Sequence, residues 1–408
     1  MTTQEHAAPG KRVSWVELYF DLVFVFAVSQ VAHVMVGQPD AGAVFGALGL
    51  FATLWFTWIG FVLLYNRRGD DRRLVDRLVI LAGTVPCAIA ATQAHHAFEH
   101  HAAGFAVALA GARVVLAAGY LLQAERRAAL AYLVSALVFA ASTATHGAWT
   151  YVLWGLALGH EIAVVLLRGG REQLRTLRRS RQEVRDLQER RRERLEAQIT
   201  PPADRAVAVD AAHLAERFGL FMIILLGEVV ISVGGAALDR GEEDLGYWLS
   251  LGGGLVLAGA LWWIYFHSMA SLNERLLVAS GGNPSLAHTL YASGHLMPAF
   301  ALLVVAAGVN LSLHDDPPKA AAWLVTAGLA AYLAGTRVLA PARRHWYGGL
   351  VRMLVLGGTA CLALLANVLV TPAVVAVAAG WAVLVAVAVT LTRPALDRFG
   401  DDPLAFLR

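Results

Sequence analysis

Residues 15–36 read WVELYFDLVFVFAVSQVAHVMV, a run that is long and apolar enough to cross a bilayer yet carries Glu17 and Asp21. A membrane-spanning helix needs about 20 predominantly apolar residues. The two carboxylates are four positions apart and therefore share one face of a helix. Because a charged side chain in hydrocarbon costs roughly 2.5–3.5 kcal/mol or more, these carboxylates indicate a polar protein interior around this helix.

The composition extends this interpretation to the whole chain. Of the 408 residues, 58% are hydrophobic and 15% are charged, whereas soluble globular chains carry about a quarter charged residues. The sequence predicts an all-α polytopic membrane protein with twelve spans, at 14–36, 42–65, 74–93, 103–123, 129–145, 148–167, 213–237, 246–270, 285–312, 320–340, 348–370 and 373–392. The lipid bilayer is therefore its first expected partner.

Lysine and arginine collect in alternate loops of this map, for example at Arg72, Arg126 and Arg275. The opposite loops carry only Arg240 and Lys319. Because cytoplasmic loops are enriched in basic residues, both termini are predicted to be cytoplasmic in the inner (plasma) membrane. The net charge of +3 follows this topology, so no nucleic-acid partner is expected.

The chain is predicted to repeat itself. Four short segments recur in the same order on either side of residue 200: Phe20-Asp21-Leu22 with Phe218-Gly219-Leu220, Leu54-Trp55 with Leu261-Trp262, Val85-Pro86 with Met297-Pro298, and Ala110-Gly111-Ala112-Arg113 with Ala334-Gly335-Thr336-Arg337. Six spans per unit preserve orientation, which predicts a parallel repeat about an axis along the membrane normal. The predicted units are an arm at 1–13, membrane halves at 14–167 and 212–392, a linker at 168–211 and a tail at 393–408.

The linker is arginine-rich and full of helix formers, and Thr200-Pro201-Pro202 ends the pattern. One interpretation is a basic helix on anionic lipid, or a coil that joins two protomers of a homo-oligomer. The other is a solvated cytoplasmic connector. The sequence leaves both open.

Charged residues inside the predicted spans are the candidate working groups. Arginine stays protonated when buried, so each embedded arginine needs a counter-charge. We expect Glu17 or Asp21 to neutralise Arg113 in the first half. By the repeat, Glu216 or Glu228 would neutralise Arg337, and Gln30 would lie at the depth of Glu228. Structural pairs between helices are the alternative to a transport role.

Histidines give two weaker candidate sites. His288 and His295 are seven apart, which on an α-helix is one face, and could relay protons, although hydrogen-bonded packing is the alternative. On the predicted extracytoplasmic side, His95, His96, Glu99 and His100 have the i,i+4 spacing of metal ligands or simply form a polar interfacial loop.

Two motifs resemble those of the bacterial low-temperature-requirement A family of integral membrane proteins. The run 17–26, ELYFDLVFVF, resembles its ELFFDLVFVF signature, with Tyr19 in place of phenylalanine. Residues 216–221, ERFGLF, with 226–228, LGE, look like its second motif. The resemblance covers about residues 12–392. It marks Glu17, Asp21, Glu216, Arg217 and Glu228 as motif positions and implies no substrate.

The sequence thus favours a secondary transporter or permease for a small solute or ion, with the embedded charges lining a polar cavity. The alternative is a membrane sensor or scaffold whose output surface is the linker. An enzyme is not expected, because no nucleophile or metal centre can be assembled from these residues, and no cofactor is expected either.

Overall fold

The computed structural model describes residues 13–70, 72–98, 102–164, 209–336 and 346–397. The regular structure within these ranges is helical. The first part contains α1 (Trp15–Gly37), α2 (Ala41–Arg68), α3 (Leu74–Gln93), α4 (Ala102–Leu122), α5 (Arg126–Ser142) and α6 (148–164). The second contains α7 (Ala211–Asp239), α8 (Leu245–Ile264), α9 (Ser271–Ala279), α10 (Pro284–Ala287), α11 (Leu296–Ser312), α12 (Lys319–Gly335), α13 (Trp346–Leu365) and α14 (Thr371–Asp397).

Three short stretches depart from α-helical geometry. A 3₁₀ turn covers His95–Phe98, and π-helical stretches cover Tyr265–Ala270 and His288–Ser293. The second π stretch leads into α11, whose third residue is Pro298. A proline ring clashes with the carbonyl four residues earlier, so the helix is remodelled just before it. Pro86, by contrast, lies within the continuous helix α3.

Acidic and hydroxyl side chains fix where several helices begin. Ser14 and Glu17 form a capping box at α1, in which each side chain bonds the other residue's backbone N–H. Asp40, Asp210 and Asp244 each accept a hydrogen bond from a backbone N–H in the first turn of α2, α7 and α8. Glu17 therefore has a local structural task besides its place in the interior.

The distribution of side chains is that of a membrane protein. Large apolar residues such as Val107, Val114 and Leu137 lie exposed on the outside, while Glu17 and Arg217 are fully buried. Eight helical segments within the described ranges are long and apolar enough to cross a bilayer: Trp15–Gly37, Ala41–Asn66, Leu74–Gln93, Ala102–Leu122, Ala211–Asp239, Leu245–Val278, His288–Ser312 and Thr371–Leu391. The prediction of an all-α membrane protein is confirmed, with eight segments meeting this criterion where the sequence predicts twelve spans.

Helix α1 lies at the centre of the packing. It contacts α2 and α3, and it also contacts α7 and α11 from the second half of the chain. Aromatic side chains fill the adjoining α2–α7 contact, where Trp58 packs against Phe218 and Phe221 at ring-centroid distances of 4.9 and 4.1 Å. The acidic face of α1 is thereby held against α7.

Several predictions concern residues outside the described ranges. The predicted linker up to residue 208, the tail from residue 398, and Arg337 all lie there. The expected neutralisation of Arg337 by Glu216 or Glu228 stays a prediction.

Candidate functional site

A fully buried charge cluster joins α1 to α7. The Arg217 guanidinium donates from Nη1 to Glu17 Oε1 at 2.6 Å and from Nη2 to Asp21 Oδ1 at 3.0 Å. His213, one turn earlier on α7, lies with its Nε2 3.2 Å from Glu17 Oε2. We call Glu17, Asp21, His213 and Arg217 the charge cluster. All four side chains have no solvent exposure.

Helix α2 supplies the polar groups that hold this cluster. Trp58 donates from Nε1 to Asp21 Oδ1 at 2.7 Å, and its ring also faces the Arg217 guanidinium at 5.9 Å. Asn66, near the end of α2, bonds both the backbone of Asp210 and the ring of His213. The sequence pattern did not indicate Trp58, Asn66 or His213 as site residues, because none of them carries a permanent charge.

The prediction that Glu17 or Asp21 neutralises Arg113 is wrong. Arg113 bonds Glu161 of α6, with Nε to Oε1 at 2.9 Å and Nη2 to Oε2 at 3.4 Å, and donates to Thr57 at 2.6 Å. Glu17 and Asp21 instead bond Arg217, which the resemblance marked as a motif position. Glu161 falls within the predicted span 148–167, so the sequence does place this carboxylate in the same half as Arg113.

A polar cavity of about 550 Å³ lies at the other end of α1 and α7. Its lining residues are His33, Glu228, Ile231, Ser232, Gly235, Ala236, Asp239, Arg240, Asn310, Leu313, His314 and Asp315. Glu228 is half-buried, so its carboxylate is in contact with the cavity space. Gln30 is near this region on α1, where its amide donates to Ser29 Oγ at 3.4 Å. Glu216 is exposed.

Another arginine, Arg240, lines this cavity. Arg240 follows α7, donates to Asp244 at 2.8 Å and approaches Asp315 at 3.9 Å. Asn310 of α11 donates to the backbone of Ser232 at 3.1 Å, which fixes α11 against α7 at this depth. The cavity is therefore lined by acidic, basic and neutral polar groups together.

Tyr265 of the first π stretch contacts His295, which lies between the second π stretch and α11. Tyr265 Oη and His295 Nε2 lie 3.0 Å apart, and Phe218 packs on His295 with ring centroids at 4.8 Å. His288 stacks on Phe56, and its Nδ1 has no hydrogen-bond partner among the described residues. Because the backbone from His288 to Ser293 is π-helical, the α-helical spacing that predicts one shared face for His288 and His295 does not hold. π stretches of this kind are frequent at functional sites.

The predicted metal site lies partly outside the described residues. Glu99 and His100 belong to the undescribed part, whereas His95 and His96 form the 3₁₀ turn, with ring centroids 3.7 Å apart. Within the described ranges, no group of three or more histidine, cysteine, aspartate or glutamate side chains could hold a metal ion. Metal binding by the complete set stays a prediction.

Apolar exteriors around buried charges define an integral membrane protein with a polar interior. The chain matches the family model of the bacterial low temperature requirement A protein over residues 12–389, and it belongs to that family. It is also 27% identical over 304 residues to an uncharacterized protein of Rhizobium meliloti (strain 1021), covering 74% of this chain and 70% of the relative. No solved structure matches the chain. The resemblance predicted from the two motifs is confirmed.

Proposed function

We propose that this protein is a secondary carrier of a small polar solute or ion, with its route between α1 and α7. The observation that carries the proposal is that these two helices face each other with polar groups at both ends. The charge cluster occupies the end where both helices begin, and the Glu228-lined cavity occupies the other end. Embedded ionisable residues of this kind mark ion and substrate pathways in membrane proteins.

The packing supports the proposed repeat. In the first half, α1 contacts α2 and α3, and α3 contacts α4. In the second half, α7 contacts α8 and α11, and α11 contacts α12, which is the same pattern. A methyl group on Gly111 would lie 3.4 Å from Pro86, and one on Gly335 would lie 2.7 Å from Pro298. The glycine of the fourth span thus packs on the proline of the third span in both halves. Carriers often place their sites between such repeats.

The proposed topology has twelve spans in the inner membrane and both termini in the cytoplasm. Arg72 precedes α3, Arg126 begins α5 and Arg275 lies in the short helix α9, all towards the end of the bundle where α1 begins, and Arg240 and Lys319 lie towards the other end. The positive-inside rule then assigns the charge cluster to the cytoplasmic side. The cavity would open to the outside.

Uptake into proteoliposomes tests the carrier. The full-length protein would be offered a panel of labelled amino acids, sugars, organic anions and inorganic cations under an imposed pH gradient. Glu228→Gln is expected to lose most of the flux, because the variant removes the deepest carboxylate of the cavity. Glu243→Gln is the control, since it changes an exposed carboxylate in the loop between α7 and α8 that does not line the cavity.

Two outcomes would contradict the proposal. The first is the absence of flux for every solute class in the panel, which would favour the sensor or scaffold instead. The second is equal flux in the wild type and in Glu228→Gln.

A further inference from the structure

The two oxygens of Asp21 have unequal surroundings. Oδ1 accepts two hydrogen bonds, from Trp58 Nε1 at 2.7 Å and from Arg217 Nη2 at 3.0 Å. Oδ2 is buried and has no hydrogen-bond partner in the part of the chain that the structure describes. A buried ionised oxygen without a donor is strongly disfavoured, and protonating it removes the larger part of that cost.

The neighbouring Glu17 has the opposite surroundings. Its Oε1 accepts from Arg217, and its Oε2 accepts from the backbone N–H of Ser14 at 3.1 Å and contacts His213 at 3.2 Å. Both oxygens are therefore occupied by donors. Hydrogen bonds to the charged form stabilise a carboxylate, so Glu17 is the ionised member of the pair.

His213 is held neutral by Asn66. The Asn66 amide accepts from Asp210 N–H at 3.1 Å and donates to the Asp210 carbonyl at 3.1 Å, which fixes which end of the amide is NH₂. That NH₂ lies 2.9 Å from His213 Nδ1, which must accept. The ring proton is then on Nε2, where it is donated to Glu17. His213 therefore adds no positive charge.

The charge cluster is thus one cation short. Arg217 is the cation that contacts the two carboxylates among the described residues, and it can neutralise one of them. Two ionised carboxylates would leave a net negative charge at a site without solvent exposure in a membrane-spanning region. Such a group takes up a proton instead.

Among the described side chains, no other element packed against α1 supplies the missing charge. Helix α11, which contacts α1, has no ionisable residue. The ionisable side chains described on the other elements packed against α1 are Tyr65 on α2, Asp76, Arg77 and Cys87 on α3, His95 and His96 on the 3₁₀ turn, and His213, Glu216, Arg217, Glu228 and Asp239 on α7. Of these, Arg217 contacts Asp21.

We propose that Asp21 binds one exchangeable proton on Oδ2 and that protons are the ions that drive the carrier. Uptake forms an O–H bond between a proton from water and Oδ2, which removes one negative charge from the cluster. Release breaks that bond and returns the proton to water, so no other reactant is needed. The first half of the proposal concerns binding alone, and the second half rests on the proposed carrier function.

Infrared spectroscopy on the full chain in lipid measures the bound proton directly. The carbonyl stretch of a protonated carboxylic acid is followed from neutral to alkaline pH, in a Glu228→Gln background so that the cavity carboxylate does not contribute. We expect a band at neutral pH that disappears on alkalinisation, and we expect Asp21→Asn to lack it. Glu216→Gln, a matched change of an exposed carboxylate, is expected to keep the band.

Two further variants assign the band to one carboxyl group. Asp21→Glu is expected to keep the band at a shifted frequency, and Glu17→Asp is expected to leave its frequency unchanged. These variants also decide the matter if Asp21→Asn fails to fold. The proposal is overturned if the band is absent from the parent protein, persists in Asp21→Asn, or shifts in Glu17→Asp and not in Asp21→Glu.

Proton movement during solute uptake distinguishes the two parts of the proposal, the bound proton on Asp21 and the proton as driving ion. With a pH-sensitive dye inside proteoliposomes, the wild type is expected to move protons together with solute, and Asp21→Asn is expected to lose that coupling. A band without solute flux would keep the proton site and overturn the carrier. Solute flux with unchanged proton movement in Asp21→Asn would keep the carrier and overturn the proton as its driving ion.

Discussion

Arg217 is the residue on which the buried charge cluster depends. It bonds one carboxylate with each terminal nitrogen, while Trp58 covers it from α2. Its planar, permanently charged guanidinium suits two acceptors at once, which a lysine ammonium would serve less well. The cluster also joins the first and second halves of the chain through side chains that have no contact with solvent.

Arg217→Gln is expected to destabilise the protein by about 3–5 kcal/mol, because removing one partner leaves buried charge uncompensated. Unfolding by denaturant in detergent micelles would measure the change. Glu243→Gln, at an exposed position between α7 and α8, is expected to stay within about 0.5 kcal/mol of the wild type. Equal losses in the two variants would contradict the role given to Arg217.

A double-mutant cycle tests the second buried ion pair. Arg113→Gln and Glu161→Gln are each expected to destabilise, and the double variant should lose less than their sum, with a coupling of roughly 0.5–3 kcal/mol. Arg113→Gln combined with Asp21→Asn should be additive within about 0.5 kcal/mol, since these residues have different partners. Coupling between Arg113→Gln and Asp21→Asn, with none between Arg113→Gln and Glu161→Gln, would restore the pairing expected from the sequence.

At the scale of the helices, the contact between the third and fourth spans is closer in the second half than in the first. A methyl group on Gly335 would lie 2.7 Å from the Pro298 ring, whereas one on Gly111 would lie 3.4 Å from the Pro86 ring. At 2.7 Å the added methyl group on Gly335 would clash with the rigid proline ring. The 3.4 Å distance at Gly111 is ordinary van der Waals contact.

Gly335→Ala is therefore expected to cost about 1–3 kcal/mol, because α12 must move away from α11. Gly111→Ala should be neutral or stabilising by up to about 1 kcal/mol, since alanine favours the helix over glycine. Thermal unfolding of the two purified variants would check this difference. A loss in Gly111→Ala equal to that in Gly335→Ala would show that the two contacts do not differ in this way.

The sequence predicted the helices well and their partners poorly. The run from Trp15 is helical because apolar length and the Ser14 cap are local properties, and both are visible in the sequence. The bond from Arg217 to Glu17 joins residues 200 positions apart. Sequence spacing carries no information about such a pair. The π stretch before Pro298 also depends on tertiary packing, which explains why the histidine spacing was misread.

At the scale of the whole molecule, polar groups occur at both ends of the α1–α7 pair with an apolar middle. Phe24 and Val28 of α1 and Leu225 of α7 are buried between the charge cluster and the cavity. The described conformation is therefore closed at the charge cluster and open at the cavity. With the proposed topology, this conformation of the proposed carrier would be open to the outside.

Cysteine accessibility tests that arrangement most directly. In a chain with Cys87 and Cys361 replaced by serine, Ser232→Cys would introduce a thiol into the cavity, and Gly259→Cys would introduce one on the exposed face of α8. A membrane-impermeant maleimide would be added to intact cells and the labelled fraction measured. We expect rapid labelling of Ser232→Cys from outside and little labelling of Gly259→Cys, which faces lipid. Labelling of Ser232→Cys only after the cytoplasmic side is exposed, or no labelling at all, would contradict a polar route that opens between α1 and α7.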